Sequence, residues 1–216
     1  MISEEENRSI QPIFMSCVNN EGGTKMKVIA INGSPRKKGN TAMLIDTVFA
    51  ELQKEGIETE QIQLGGKKIH GCTACLKCFE NQNKRCVIDN DILNVIVTKM
   101  VEADGIIIGS PTYFANVTSE VKALIDRAGM VAIANDYMLK RKVGTAVVAV
   151  RRAGATAAFD AINKLYFINQ LIVPGSVYWN LGMGLEEKDV KNDEEGLDTM
   201  KILGENMAWL LKKISA

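Results

Sequence analysis

From Lys27 onward, short β-branched apolar runs alternate along the chain with longer stretches in which apolar residues recur at helical spacing. The run Val28-Ile29-Ala30-Ile31 is of the first kind; Leu44, Val48 and Leu52, spaced four apart, are of the second and mark one buried helix face. This alternation is the signature of a parallel sheet covered by helices on both faces, a three-layer α/β sandwich. Strands are expected at Val28 to Asn32, Glu58 to Leu64, Gly105 to Gly109, Gly144 to Val150 and Gly175 to Tyr178. Helices are expected at about Thr41 to Glu55, Asp91 to Val101, Thr118 to Ala128, Thr156 to Gln170 and Asp193 to Ile214. Five strands and five helices fit the doubly wound order 2-1-3-4-5, in which ligands sit beyond the carboxyl ends of the first and third strands. The loops that should line a site are therefore 33–41, 110–117 and 151–155.

The first 25 residues lack this periodicity, and Gly22-Gly23 separates them from a domain start near Met26. They read as an arm, either disordered or ordered against a neighbouring subunit, and Cys17 within it is too isolated to interpret. Residues 26–216 are enough for one well-buried core. With 26 basic and 26 acidic residues the formal charge is zero, so no long-range field favours nucleic acid or an anionic membrane. No apolar stretch approaches the roughly 20 residues of a membrane span, and the acidic start Met-Ile-Ser-Glu-Glu-Glu is unlike a secretory signal. A cytoplasmic protein is expected. Four of the five cysteines lie between residues 72 and 86, which points to metal or redox chemistry rather than a disulfide framework.

Residues 33 to 41, Gly-Ser-Pro-Arg-Lys-Lys-Gly-Asn-Thr, follow the first strand and open the first helix. A nucleoside-triphosphate loop needs four residues between its glycines and then Lys-Ser or Lys-Thr; here five separate Gly33 from Gly39, and Asn40 stands where the lysine would be. The dinucleotide fingerprint fails for want of its second and third glycines. The hydroxyls of Ser34 and Thr41, the amide of Asn40, the guanidinium of Arg36 and the free N–H groups after Gly39 suit one terminal phosphate dianion. The plainer reading is a strand-to-helix turn with an Asn or Thr cap. The segment resembles the phosphate loop of the NAD(P)H-dependent FMN reductase family, a flavodoxin-like group. Ser110-Pro111-Thr112-Tyr113, followed by Lys122 and Asp126-Arg127, is similar to that family's second flavin loop and the helix after it. By position, the resemblance makes Pro111, Thr112, Tyr113, Phe114 and Asn116 flavin contacts. In Arg151-Arg152-Ala153-Gly154, a cation would stabilise reduced flavin and Gly154 would permit close approach, unless the arginines form a solvated edge.

Cys72, Cys75 and Cys78 stand at successive Cys-x-x-Cys spacings, and Cys86 follows after seven residues. The unbroken triplet favours an iron-sulfur cluster over zinc, with thiols that bind no metal as the alternative. The arrangement resembles the iron-sulfur flavoprotein branch of the same family, which implies a 4Fe-4S cluster beside FMN. His70 reads as a polar loop residue. No nucleophile with an adjacent base is present, so no protein side chain is assigned a catalytic role and the cofactor would carry the reaction. The resemblance implies electron transfer from NAD(P)H through FMN to a small-molecule acceptor such as a quinone or free flavin, in a homodimer or homotetramer. The alternative is an electron carrier reduced by ferredoxin, with no nicotinamide activity. A zinc-stapled binding module without flavin is a third reading.

Overall fold

The computed structural model describes residues 25–215; the expected arm, Cys17 included, lies outside the described residues save for Lys25. Strands β1 (Lys27–Asn32), β2 (Glu58–Gln63), β3 (Gly105–Pro111), β4 (Val143–Val150) and β5 (Leu181–Met183) form one parallel sheet in the order β2-β1-β3-β4-β5. This is the flavodoxin-like order. The helices are α1 (Asn40–Lys54), α2 (Lys77–Asn81), α3 (Leu93–Glu102), α4 (Ser119–Ala134), α5 (Ala155–Ile168) and α6 (Glu194–Ile214), with a 3-10 turn at Asp189–Asn192. Among them no helix is long and apolar enough to cross a membrane.

Because strand side chains alternate between faces, β1 divides its residues between two cores. Val28 and Ala30 join Leu44, Val48 and Leu52 of α1 and Met200, Leu203, Met207 and Leu211 of α6. Ile29 and Ile31 join residues of α3, α4 and α5 on the opposite face. In α6 the apolar positions recur at spacings of three and four, so a 21-residue helix buries one stripe and leaves the rest in water. The register aligns Asn32 with Gln63 on one side and Gly109 on the other. Three strands thus end together, and their following loops converge on one edge.

The fifth strand departs from expectation. Gly175 to Tyr178 is not a strand; Val177, Tyr178 and Trp179 are largely exposed, and pairing with β4 begins at Leu181. Ile172 makes an isolated bridge to Val143, after which Pro174 offers no N–H and the chain leaves the sheet. Ser176 Oγ bonds the Tyr178 carbonyl and the Asn180 side chain, while Asn180 donates to Thr145, closing a loop before the strand starts. Helix α4 also runs six residues past the expected Ala128, because Val131, Ala132 and Ala134 continue its buried stripe beyond Gly129. Neither α2 nor the 3-10 turn was expected.

Candidate functional site

At the carboxyl edge of the sheet lies a cleft of about 240 Å³ lined by Ser34, Arg36, Asn40, Thr41, Pro111, Thr112, Tyr113, Ala149, Val150, Arg151, Gly184 and Leu185. Its floor is the loop between β1 and α1. Gly39 caps α1 in an extended conformation and has no side chain to bond the first-turn N–H groups, which leaves them for a ligand. The loop is fixed from behind. Asn32 Oδ1 accepts from the Ser34 N–H at 3.0 Å, Gln63 Nε2 donates to the carbonyls of Ser34 and Gly65, and Thr118 Oγ1 donates to that of Gly33. A Cβ on Gly65 would stand 2.2 Å from the Ser34 carbonyl carbon, so only glycine lets the segment after β2 lie against this loop.

The second wall is a tight turn. Tyr113 and Asn116 exchange both backbone hydrogen bonds, while Phe114 (φ 47°) and Ala115 (φ 55°) between them are left-handed. That conformation costs a non-glycine residue roughly 1–2 kcal/mol, and Phe114 at its tip is fully exposed. Gly154 (φ 86°) brings the third loop against this turn, and a Cβ there would meet that of Ala115 at 2.9 Å. The fourth wall, Gly184 and Leu185, is held by Asn40: its Nδ2 donates to the Glu186 carbonyl and its Oδ1 accepts from the Val190 N–H.

Of the residues expected to contact flavin, Ser34, Arg36, Asn40, Thr41, Pro111, Thr112, Tyr113 and Arg151 therefore share one cleft. Gly39, Phe114, Asn116, Arg152 and Gly154 are not on its wall. Gly39 and Gly154 shape it, Asn116 closes the turn, and Phe114 and Arg152 point into solvent. Asn40 lines the cleft, yet its amide is already spent on the fourth wall.

Cys72, Cys75, Cys78 and Cys86 all line a second, largely apolar depression together with Ile88, Arg127, Met130 and Val131. All four are free thiols, Cys72 and Cys75 exposed and the other two half-buried. Left-handed Ala74 and Leu76 turn the chain into α2, and left-handed Gln82 ends it. The Lys77 N–H and Thr73 hydroxyl hold the Cys75 thiol below its ordinary pKa, whereas burial pushes that of Cys78 up. Asn94 of α3 fixes Cys86 by exchanging hydrogen bonds with both its N–H and its carbonyl at 2.9 Å. Among the described residues no three His, Cys, Asp or Glu side chains converge to hold a single ion. His70 contributes only backbone, its N–H donating to Asp91 and its carbonyl accepting from Arg127.

Residues 26–186 match the model of a family described as NADPH-dependent FMN reductase. The chain belongs to that family. It is 40% identical over 196 residues to an iron-sulfur flavoprotein of Methanocaldococcus jannaschii, covering 88% of this chain and 99% of that one. It is 36% identical over 194 residues to an iron-sulfur flavoprotein of Archaeoglobus fulgidus, covering 84% and 94%. In fold it is similar to RosB, solved with the bound intermediate 8-demethyl-8-formylriboflavin-5'-phosphate, with a TM-score of 0.67 at 20% identity over 88% of this chain and 80% of that one.

Two atoms test whether the FMN reductase family's cofactor suits this cleft. The hydroxyl oxygens of Thr41 and Thr112 are buried and bond nothing in the protein, and both residues are on the cleft wall. Thr41 sits in the first turn of α1, where a phosphate would sit, and Thr112 sits where the second loop meets the ring site. Buried polar groups without partners are rare, and FMN would satisfy this pair, with its phosphate at Thr41 and its ring end at Thr112. Sequence reading missed Asn32, Gln63, Thr118, Gly184 and Leu185. A signal existed for Asn32, an amide at the end of the apolar run Val28-Ile29-Ala30-Ile31, but none for Gln63, which lies in a strand already rich in polar residues.

Proposed function

We propose that the protein is an iron-sulfur flavoprotein oxidoreductase: FMN occupies the cleft, takes electrons from NAD(P)H and passes them to an acceptor by way of a 4Fe-4S cluster on Cys72, Cys75, Cys78 and Cys86. The observation that carries this reading is the presence, on one chain, of a phosphate-type cleft with two unpartnered hydroxyls and a depression walled by four thiols. When bound, FMN exchanges two electrons and the cluster one, and that pairing converts hydride input into single-electron output.

The chain's own residues bind and orient. Ser34, Arg36, Thr41 and the first-turn N–H groups of α1 hold the phosphate. Pro111, Thr112 and Tyr113 wall the ring, and Arg151 places positive charge where a reduced ring gathers negative charge. Tyr113 is half exposed, which leaves the outer face of the ring open to a nicotinamide or a small acceptor such as a quinone or free flavin. Within one chain the cleft and the cysteine depression have no wall residue in common, and the thiols pack on the far half of α4. A homodimer or homotetramer that brings the depression of one copy to the cleft of another would shorten that path. Four free cysteines suit a reducing, cytoplasmic setting.

The exposure of Cys72 and Cys75 favours a second reading, in which a protein partner such as ferredoxin delivers electrons to the cluster and nicotinamide has no role. An anaerobic absorption spectrum with iron, sulfide and FMN analysis, followed by stopped-flow mixing with NADPH, tests both. Flavin bands over broad absorbance near 400 nm, about four irons per chain and rapid bleaching by NADPH support the first reading. The same spectrum without bleaching supports the carrier. Flavin without iron after anaerobic reconstitution removes the cluster, and failure to bind FMN removes both readings.

A further inference from the structure

Arg127 and Asp91 form an ion pair with both side chains fully buried. The guanidinium closes the base of the cysteine segment, one terminal nitrogen donating to the His70 carbonyl at 3.2 Å and the other to that of Ile88 at 2.7 Å. These two carbonyls flank the segment that carries all four thiols. Asp91 holds the guanidinium in place and is itself held by the N–H groups of His70 and Leu93. The third edge is different. Arg127 Nε is buried with no hydrogen-bond partner, and Arg127 lines the same depression as Cys86.

A clamp that served only to close the loop would have no reason to leave this donor idle, because an unmet donor on a buried charged group is costly. A neutral thiol is a weak acceptor, whereas a thiolate sulfur is a strong one. We propose that Arg127, oriented by Asp91, is a positioning residue for the cluster: its Nε–H is reserved for the Cys86 sulfur once that sulfur binds iron, and this bond raises the cluster's reduction potential. The inference rests on the cluster reading given above. Its physical basis is that reduction adds negative charge, which a donor to a ligand sulfur stabilises. Lysine could keep the charge but could not supply the fork that reaches Asp91, two carbonyls and a sulfur at once.

The test uses the anaerobically reconstituted holoprotein. With arginine labelled by 15N in the guanidino group, in an Arg85→Lys background that removes the segment's own arginine, pulsed EPR of the reduced cluster should show a 15N coupling. Arg127→Lys should make cluster reduction about tenfold less favourable, a midpoint ~59 mV more negative for one electron, and leave the flavin midpoint unchanged. Asn94→Ala loosens Cys86 without touching Nε, and should reduce cluster retention without that shift. An assembled Arg127→Lys cluster at the wild-type potential, or a labelled protein with no 15N coupling, overturns the inference. If the lysine variant does not assemble, the labelled protein decides alone. A wild-type protein that takes up FMN but no iron overturns the cluster reading and this inference with it, whereas iron uptake without coupling overturns only the inference.

Discussion

Thr41 shows how a single side chain separates binding from folding. Its hydroxyl is buried and bonds nothing, so Thr41→Val removes no hydrogen bond from the ligand-free protein and relieves an unmet polar group. A hydrogen bond to a charged phosphate is worth about 1.5–3 kcal/mol, so the same change should weaken FMN binding roughly 10- to 100-fold. Thermal unfolding without FMN should show an equal or higher midpoint, while a flavin fluorescence titration shows the loss. A fall in both would mean that the hydroxyl has a structural partner. Ala115 makes the converse case, because its left-handed backbone is strained in a two-residue turn that glycine suits. Ala115→Gly should stabilise the protein by about 1 kcal/mol in urea denaturation. At this scale the sequence was informative where a local motif sets the position, as for Ser34 and Thr41, which both line the cleft. It did not show that the Asn40 amide, on the cleft wall, is also bound to Glu186, 146 residues away. No local pattern reveals such a partner.

At the scale of elements, strands buried on both faces were legible as apolar runs, and β1, β3 and β4 lie close to where those runs place them; β2, a polar edge strand, also lies close to its expected place. The fifth was not, because Val177, Tyr178 and Trp179 have strand propensity yet sit outside the sheet after Pro174. Propensity records which side chains suit a pleated surface, and the pairing itself was decided by Ser176 and Asn180. The segment between β2 and α3 was legible only for its cysteines, and its anchor is Asp91. Burial pushes the Asp91 carboxyl up, but the His70 N–H, the Arg127 guanidinium and the Leu93 N–H outweigh it and hold its pKa below the ordinary value. A group whose folded pKa is depressed gives its full stabilisation above the unfolded value, about 3.9, and loses it as pH falls through the folded one. Asp91→Asn leaves Arg127 buried and unpaired, so it should cost about 3 kcal/mol or more at pH 7. Denaturation curves taken at decreasing pH should show the wild-type advantage narrowing below about pH 4. An advantage that is constant down to pH 2 would mean the carboxylate's charge is not what holds the segment.

For the whole molecule, the arrangement of the two candidate sites makes them separable. The cleft is built by loops following four strands of the sheet, so its shape depends on the sheet register and on contacts between loops, such as Gly154 against Ala115. The cysteine depression is built by one excursion of the chain laid on α4, and only Cys78 and Cys86 among its thiols touch the main core. The two have no lining residue in common, and the excursion is fastened by Asp91, Asn94 and Arg127 rather than by its cysteines. Replacing all four cysteines by serine should therefore abolish iron binding but leave FMN occupancy intact, with the dissociation constant changed less than about threefold, under 1 kcal/mol. Hydrogen exchange should detect the change in residues 71–88 and not in the loops of the cleft. Flavin loss in that variant would mean that the excursion shapes the cleft in the assembled protein, through a contact between copies that one chain does not contain.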